Sequence, residues 1–176
     1  MNTHYKKLIL SALFTAIISV CAQIILPLPS GIPITLQTFA VGVCGYLLGV
    51  KYSSFCVVGY LLLGFFGAPI FSGFSAGPAV LFGKSGGFLF GFILLAVFCG
   101  IATNYKLKWI KLLLGIIGVL FTHLLGCVQF SIVFQTNLFS AFLISSLPFI
   151  IKDIISIIAA LVLSEIIKRK SIMRSL

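Results

Sequence analysis

The ionisable side chains able to bind a ligand are few, because the sequence contains only two acidic residues, Asp153 and Glu165. Asp153 follows Lys152 at the start of a long apolar run. A charge at the centre of a bilayer costs at least ~2.5 kcal/mol, so a charge without a role is not expected in such a run. A carboxylate there can accept hydrogen bonds from N–H donors, and an ammonium group can pair with an anion. The pair therefore predicts a site for a polar ligand.

A second lysine lies in a glycine-rich turn, Gly83-Lys84-Ser85, which resembles the end of the phosphate-binding loop G-x-x-x-x-G-K-[ST]. Pro78 stands where the first glycine should be, and no strand is predicted before it, so we exclude nucleotide binding. The helix that follows begins with amides that lack internal partners, and such an end suits a carboxylate or a polar carbonyl. Gly86 and Gly87 would let a ligand approach the backbone closely. The alternative is a tight turn that only packs one face of the protein.

The chain as a whole is too apolar to fold as a water-soluble globule. Apolar residues make up 61% of its 176 residues and charged residues only 8%, which leaves too few polar side chains to cover a surface. We therefore predict an integral membrane protein. At ~20 residues per span, the length allows about six transmembrane helices and leaves no room for a soluble catalytic domain. The net charge of +10 is then expected to set orientation and to contact anionic lipid, and we predict no nucleic acid partner.

Apolar segments separated by breakers predict six spans in a single domain that covers residues 1–176. The spans lie near residues 7–27, 34–50, 53–70, 86–104, 111–131 and 146–168. Pro27 and Pro33 interrupt the first connection, Gly49 and Lys51 leave the second very short, and the longest loop runs from Phe71 to Gly83. The first apolar segment resembles a signal peptide, but its ~20 residues exceed the usual ~7–15, so we interpret it as a span.

Six spans place both termini on one side of the membrane, and the basic residues indicate that this side is cytoplasmic. Two lysines are exceptions, Lys84 and Lys152, which fall on the outer side, where orientation gives no reason for a lysine. They are candidates to hold an anionic group, and the alternative is that each snorkels to the outer headgroups. The other ten of the twelve basic residues would be cytoplasmic: Lys6, Lys7, Lys51, Lys106, Lys108, Lys111, Lys168, Arg169, Lys170 and Arg174.

Other chemistry is not predicted. His123 lies in the middle of a span without a second ligand at metal-binding spacing, so we interpret it as a packed or hydrogen-bonded histidine and predict no metal ion. A membrane enzyme would need a converging nucleophile, base or metal set, which one Asp, one Glu and two distant His do not offer. A channel would need a polar stripe through the bilayer, whereas the polar residues cluster at the outer end.

Several short motifs follow one another along the chain: Pro33-Ile34-Thr35-Leu36-Gln37-Thr38, Leu47-Leu48-Gly49, Gly59-Tyr60-Leu61-Leu62-Leu63-Gly64, Gly67-Ala68-Pro69-Ile70-Phe71 and Gly83-Lys84-Ser85-Gly86-Gly87-Phe88-Leu89-Phe90-Gly91-Phe92. Together they resemble the biotin-specific substrate-binding (S) components of energy-coupling-factor (ECF) transporters, the BioY family. The likeness runs from Ala12 to about Leu163. It implies a six-helix membrane bundle that binds biotin near the extracellular face.

The chain departs from the family pattern in both site motifs. In helix four the family usually reads G-P-T-G-G-Y, and here Lys84 replaces the proline, Ser85 the threonine and Phe88 the tyrosine. In helix six the family shows an Asp followed three residues later by a Lys. This chain keeps Asp153, but Ser156 stands in place of that lysine and Lys152 precedes the Asp. The resemblance leaves open whether Lys84 or Lys152 pairs with the biotin carboxylate.

The resemblance also implies roles for further residues. Biotin presents ureido N–H groups, a carbonyl, an apolar sulfur ring and a carboxylate, so its site needs an acceptor, donors, an apolar wall and a cation. Asp153 would accept from the ureido N–H groups, and Thr35 and Gln37 could donate or accept. Three phenylalanines could form the wall, although core packing is the alternative for each: Phe71, Phe74 and Phe88.

The small residues Ala12 and Ala16 lie on one face of the first helix, which permits close approach of another helix. The resemblance implies docking of the transmembrane T component on this face, and internal packing is the alternative. No nucleotide-binding sequence is present, so the chain cannot itself couple ATP hydrolysis to uptake. The resemblance implies two ATPase subunits as further partners, and no cofactor is predicted. We predict a multi-pass protein of the cell membrane that captures biotin. The alternatives are an S component for another small vitamin and a biotin facilitator that acts alone.

Overall fold

The computed structural model describes residues 3–27 and 32–170, and the chain in these two ranges is mostly helical. Arg174, one of the basic residues predicted to be cytoplasmic, lies outside them. Seven α-helices occur in the described ranges: α1 (Thr3–Gln23), α2 (Gln37–Phe65), α3 (Pro78–Leu81), α4 (Gly86–Ile101), α5 (Lys108–Phe134), α6 (Leu138–Ser145) and α7 (Leu147–Arg169). Two 3₁₀ helices add single turns at Ser72–Phe74 and Ala102–Asn104.

The fold is all-α and contains several helices suited to a membrane. Four helices of the described chain are long and apolar enough to cross one: Tyr5–Gln23, Gln37–Phe65, Gly86–Asn104 and Lys108–Phe134. This confirms the predicted fold class at the level of an all-helical protein with four candidate membrane helices in its described part. The short helix α3 lies in the segment that the sequence predicted to be the longest loop, and α6 lies between the fifth and sixth predicted spans.

A turn in the backbone divides α2 into two halves at Gly49, where φ is 75° and ψ is 175°. A residue with a side chain rarely adopts this conformation, so glycine suits the position. The halves then run antiparallel, because Gln37 near the first end donates through Nε2 to the Tyr60 hydroxyl near the last end at 2.7 Å. The sequence placed the very short second connection at these residues.

Short strands join α1 to α2 at the opposite end of the bundle. β1 (Ile25–Leu26) pairs with β2 (Ile34–Thr35) in antiparallel register, with Ile25 opposite Thr35. The predicted second span began at residue 34, whereas the helix begins at Gln37. This hairpin therefore delivers Thr35 and Gln37 to the end of the bundle where α4 and α7 also begin.

Close contact between α4 and α5 fixes how these two helices face each other. A Cβ on Gly91 would lie 2.6 Å from the Thr122 Cα, which leaves room for no side chain at that position. The Thr122 hydroxyl donates to the Gly91 carbonyl oxygen at 3.1 Å. The residues next to this contact, Phe88 and His123, therefore also face each other across the two helices.

Basic residues gather at the end of the bundle that contains the Gly49 turn. The ammonium groups of Lys7 and Lys51 lie 5.5 and 5.9 Å from the centroid of the same tyrosine ring. Lys111 of α5 forms an ion pair with Glu165 of α7 at 2.5 Å. Lys84 and Lys152 lie at the opposite end, so the distribution of charge along the bundle follows the one expected from the sequence.

Candidate functional site

Two adjoining cavities occupy the end of the bundle opposite the basic residues. The inner cavity, of about 60 Å³, is lined by Ile32, Pro33, Thr35, Gln37, Thr38, Ser72, Ser85, Phe88, Leu89, Phe92, Thr122, Phe149, Lys152 and Asp153. The outer cavity, of about 550 Å³, is lined by Ile25, Pro27, Pro33, Ser72, Gly73, Ser75, Ala79, Val80, Gly83, Lys84, Ser85, Val133 and Phe134. Because Pro33, Ser72 and Ser85 line both, the two cavities are neighbours.

Three ionisable side chains meet beside the inner cavity, and we call them the Asp153 cluster: Asp153, Lys152 and His123. Asp153 is 6% exposed, and its Oδ1 forms an ion pair with the Lys152 ammonium. On its other side, the carboxylate oxygen Oδ2 lies 3.1 Å from His123 Nε2. The cluster thus holds a buried carboxylate between a cation and an imidazole.

The start of α7 positions the two charged residues of this cluster. The helix begins at Leu147 with Pro148 in its first turn, where a proline is tolerated, and Asp153 lies nearly two turns further in. Neighbouring residues on a helix point ~100° apart, yet both Lys152 and Asp153 line the inner cavity. The long lysine side chain turns back, and its ammonium also donates to the Thr35 carbonyl oxygen at 3.1 Å. Lys152 therefore points into the protein rather than towards a membrane surface.

The end of α2 and the strand before it supply polar groups. The Thr35 hydroxyl donates to Gln37 Oε1 at 2.8 Å, and Gln37 Nε2 donates to the Tyr60 hydroxyl. Tyr60 in turn donates to the Ile70 carbonyl oxygen at 3.3 Å. Both predicted residues, Thr35 and Gln37, line the inner cavity, but their side chains are held by protein partners. Thr38, which sequence reasoning missed, lies beside the Asp153 carboxylate.

The aromatic wall differs from the predicted one. Phe88 lines the inner cavity, with its ring edge-on to the His123 ring at a centroid distance of 5.7 Å. Phe71 is fully buried and packs edge-on against the Tyr60 ring at 5.4 Å, outside both cavity linings, and Phe74 is 71% exposed. The unpredicted part of the wall follows helix spacing: Phe149 lies four residues before Asp153, and Phe92 lies four residues after Phe88.

The glycine-rich turn before α4 lines the cavities with one residue and packs against neighbouring helices with two others. Ser85 lines both cavities, as expected for a site residue. Gly86 and Gly87 line neither, because a Cβ on Gly86 would lie 1.7 Å from the Leu81 carbonyl oxygen and one on Gly87 would lie 2.2 Å from that of Leu125. The close approach that these glycines permit is to other helices rather than to the cavities.

Replacing Gly87 by alanine is expected to lower the free energy of unfolding by about 1–3 kcal/mol, because the added methyl group meets backbone that cannot move aside freely. Thermal unfolding of the purified protein in detergent measures this effect. Gly59→Ala is the matched control, since its Cβ would lie 3.8 Å from the Thr15 hydroxyl, an ordinary contact. Equal unfolding temperatures for Gly87→Ala and Gly59→Ala would contradict the packing described.

The remaining lysine, Lys84, lines the outer cavity and is half-buried. Within residues 3–27 and 32–170 it forms no hydrogen bond or ion pair, in contrast to Lys152. Gln129 of α5 stabilises the turn that carries Lys84. Its Nε2 donates to the carbonyl oxygens of Leu81 and Gly83 at 2.8 and 2.7 Å. The Lys84 ammonium is therefore available to an anion in the outer cavity.

Three other predicted residues lie away from the cavities. Ser156 is buried but lines a separate groove between α2 and α7, beside Ile155. Ala12 and Ala16 are exposed on the surface of α1, so they are not buried against other helices of the described chain. In the described part of the chain, no group of three or more His, Cys, Asp or Glu side chains could hold a metal ion.

The sequence is similar to known membrane proteins along nearly its whole length. The model of the BioY family matches residues 1–172. The "Biotin transporter BioY" of Thermotoga maritima is 36% identical over 176 residues, which cover 96% of this chain and 99% of the relative. "Biotin transporter BioY2" of Lactococcus lactis is 35% identical over 163 residues, 89% of this chain and 87% of the relative.

The fold is similar to one solved structure in particular, described as the crystal structure of the S-component for biotin from an ECF-type ABC transporter. The TM-score is 0.86 at 28% sequence identity. The alignment covers 96% of this chain and 95% of that one. The likeness therefore extends over the whole bundle, including the end that contains the two cavities.

Proposed function

The chain belongs to the BioY family, and we propose that it binds biotin as the membrane-embedded S component of an energy-coupling-factor uptake transporter. It is a transporter component and not an enzyme. Within the molecule, the observation that supports this function most directly is the buried Asp153 carboxylate beside the inner cavity. Biotin offers ureido N–H donors, and a buried carboxylate with free acceptor capacity is their natural partner.

The proposed topology has six membrane crossings: α1, the two halves of α2, α4, α5 and α7. The turn at Gly49 supports counting α2 twice, because its halves run antiparallel. α7 carries five charged residues, but they lie near its two ends, where one end meets the site and the other meets the basic residues. The basic end would be cytoplasmic, together with both termini, and the two cavities would then face the extracellular side.

The two cavities suggest how biotin would lie. The inner cavity, at about 60 Å³, is far smaller than a typical ligand pocket of ~300–1,000 Å³, so it can receive only one end of a ligand. The ureido end would enter it, towards Asp153, and the apolar rings of Phe88 and Phe149 would contact the sulfur ring. The acyl chain would then extend into the outer cavity. There its carboxylate would meet Lys84, whose ammonium has no partner in the described chain.

Lys84→Met is expected to weaken the binding of biotin by roughly fivefold, which corresponds to about 1 kcal/mol for a half-buried ion pair. The same substitution should leave the binding of biotinamide nearly unchanged, because the amide carries no charge. Lys152→Met should instead affect both ligands alike, since Lys152 acts on Asp153. Equilibrium titration of the purified variants with both ligands measures these effects.

The result that would contradict this assignment is a Lys84→Met protein that binds biotin as tightly as wild type. A loss confined to biotin in Lys152→Met would assign the carboxylate to Lys152 instead. Lys51→Met, at the basic end of the bundle, is the matched control and should bind both ligands normally.

ATP-driven uptake requires partners, because the chain contains no nucleotide-binding sequence. The partners are a transmembrane T component and two ATPase subunits of the ECF module. The exposed alanines of α1, Ala12 and Ala16, are the proposed docking face for the T component. Their small side chains allow another helix to approach closely, and no helix within residues 3–27 and 32–170 covers them.

Uptake of labelled biotin into cells tests the coupled function. The chain is expressed in cells that lack their own biotin transporter, with and without an ECF module. We expect accumulation against a gradient only with the module. Equal accumulation without it would contradict the coupled function and favour a facilitator that acts alone. Uptake of another vitamin but not of biotin would show that biotin is not the substrate.

A further inference from the structure

A buried imidazole lies behind the proposed ligand acceptor. His123 is 4% exposed and does not line either cavity, so a ligand in them would not touch it. Its Nε2 lies 3.1 Å from Asp153 Oδ2, and the Phe88 ring covers one side of the imidazole. Neither ring nitrogen makes a well-aligned hydrogen bond to another described residue. A polar side chain buried in this way requires a reason, because such groups normally have partners.

The polar groups beside the contact between His123 and Asp153 belong to α7 and α2. Lys152 of α7 pairs with the carboxylate, and the hydroxyl of Thr38 on α2 also lies beside it. Nδ1 has no acceptor within the described chain, so the single ring proton belongs on Nε2, facing Asp153 Oδ2.

We propose that His123 is a positioning residue, which fixes the Asp153 carboxylate for biotin. This inference rests on the proposed function of the chain. The terminal torsion of an aspartate is broad, so the carboxylate can rotate unless its oxygens are held. The imidazole lies 3.1 Å from Oδ2, and the Lys152 ammonium pairs with Oδ1. A carboxylate has about four lone-pair sites, so one remains for a ligand N–H group beyond the imidazole, the ammonium and the Thr38 hydroxyl.

The loose geometry of the contact fits this role. The Nε2–Oδ2 distance is within hydrogen-bonding range, but the N–H group is not aligned with the oxygen. Hydrogen bonds at a functional site are often poorly aligned before the ligand is bound and improve in the complex. Biotin entering the inner cavity would draw the carboxylate into line with both the imidazole and the ureido group.

Nitrogen NMR of the ligand-free protein tests the histidine–aspartate contact without reference to biotin. The chain has only two histidines, so ¹⁵N-histidine labelling of a His4→Gln variant leaves His123 as the single signal. We expect the neutral Nε2–H tautomer, and a change in the Nε2 signal in Asp153→Asn but not in Ser156→Ala. An imidazolium, an Nδ1–H tautomer or a signal insensitive to Asp153→Asn would overturn the proposal.

Titration of the variants with biotin tests the effect of His123 on the affinity for the ligand. His123→Leu is expected to lower the affinity by roughly tenfold, the loss of one hydrogen bond to a charged group. His123→Gln keeps an N–H donor and should therefore retain most of the wild-type affinity, although it also lacks the imidazole ring. Equal losses in both, or no loss in His123→Leu with its unfolding temperature unchanged, would overturn the positioning role. No biotin binding by wild type would instead refute the proposed function, and this inference with it, whatever the NMR result.

Discussion

Asp153→Asn is expected to reduce the affinity for biotin by about a hundredfold. An ionised acceptor contributes roughly 1.5–3 kcal/mol for each hydrogen bond, and the amide replaces one acceptor oxygen with a donor that faces the ligand N–H groups. The overall shape of the side chain is kept, so the cavity should not change size. Titration of the purified protein with biotin measures the loss directly.

The control for this substitution is Ser156→Ala, on the same helix and one turn further along. Ser156 is buried like Asp153 but lies beside a different groove, so its replacement should leave the affinity unchanged. An unchanged affinity in Asp153→Asn, or a large loss in Ser156→Ala, would mean that α7 presents another face to the ligand. Either result would contradict the site described.

The second large effect is expected on stability. Lys152→Met removes the ammonium that pairs with Asp153 Oδ1 and that also ties α7 to the Thr35 carbonyl oxygen. Breaking one partner of a buried ion pair typically costs about 3–5 kcal/mol, because the other charge is left without compensation. The unfolding temperature of the ligand-free protein in detergent should therefore fall clearly.

The double variant Lys152→Met/Asp153→Asn separates the ion pair from simple loss of packing. With the carboxylate also removed, no uncompensated charge remains, and the double variant should be more stable than Lys152→Met alone. Lys84→Met is the matched single control and should unfold at nearly the wild-type temperature, because Lys84 has no partner in the described chain. A Lys152→Met protein as stable as Lys84→Met would contradict the buried ion pair.

Much of the candidate site could be predicted from the sequence, because charged residues in an apolar chain are few. The structure brings Asp153, Lys152, Thr35 and Gln37 to one cavity, together with the predicted Phe88. Periodicity and charge indicate which end of a helix a residue occupies, and these residues all lie near one end of the bundle. The sequence left the choice between the two lysines open, and the contacts of Lys152 provide a physical reason to favour Lys84 for the ligand carboxylate.

The remaining features depend on how each helix is rotated against its neighbours, which a single sequence does not reveal. His123 was interpreted only as a packed or hydrogen-bonded residue, and its position beside Asp153 follows from the packing of α5 against α7. Phe71, Gly86 and Gly87 were predicted site residues, but they pack between elements of the bundle. The sequence does not distinguish a glycine that leaves space for a ligand from one that leaves space for a neighbouring helix.

Some parts of the fold could likewise be predicted from composition, whereas other parts depend on packing. The apolar spans and the turn near Gly49 follow from hydropathy and from the short connection. The β1–β2 hairpin and the short helices α3 and α6 were not predicted, because segments of two to eight residues take their structure from the bundle they pack against. These segments border the candidate site, since β2 carries Thr35 and α3 borders the outer cavity.

The most direct test of the central claim is an isothermal titration of the purified wild-type chain with biotin, in detergent and without any partner protein. We predict saturable binding of one biotin per chain, weakened about a hundredfold in Asp153→Asn, as expected for the loss of an ionised acceptor. Absence of binding by the correctly folded wild-type chain would contradict it. Binding of equal strength in both proteins would leave biotin as the ligand but would refute the site at Asp153.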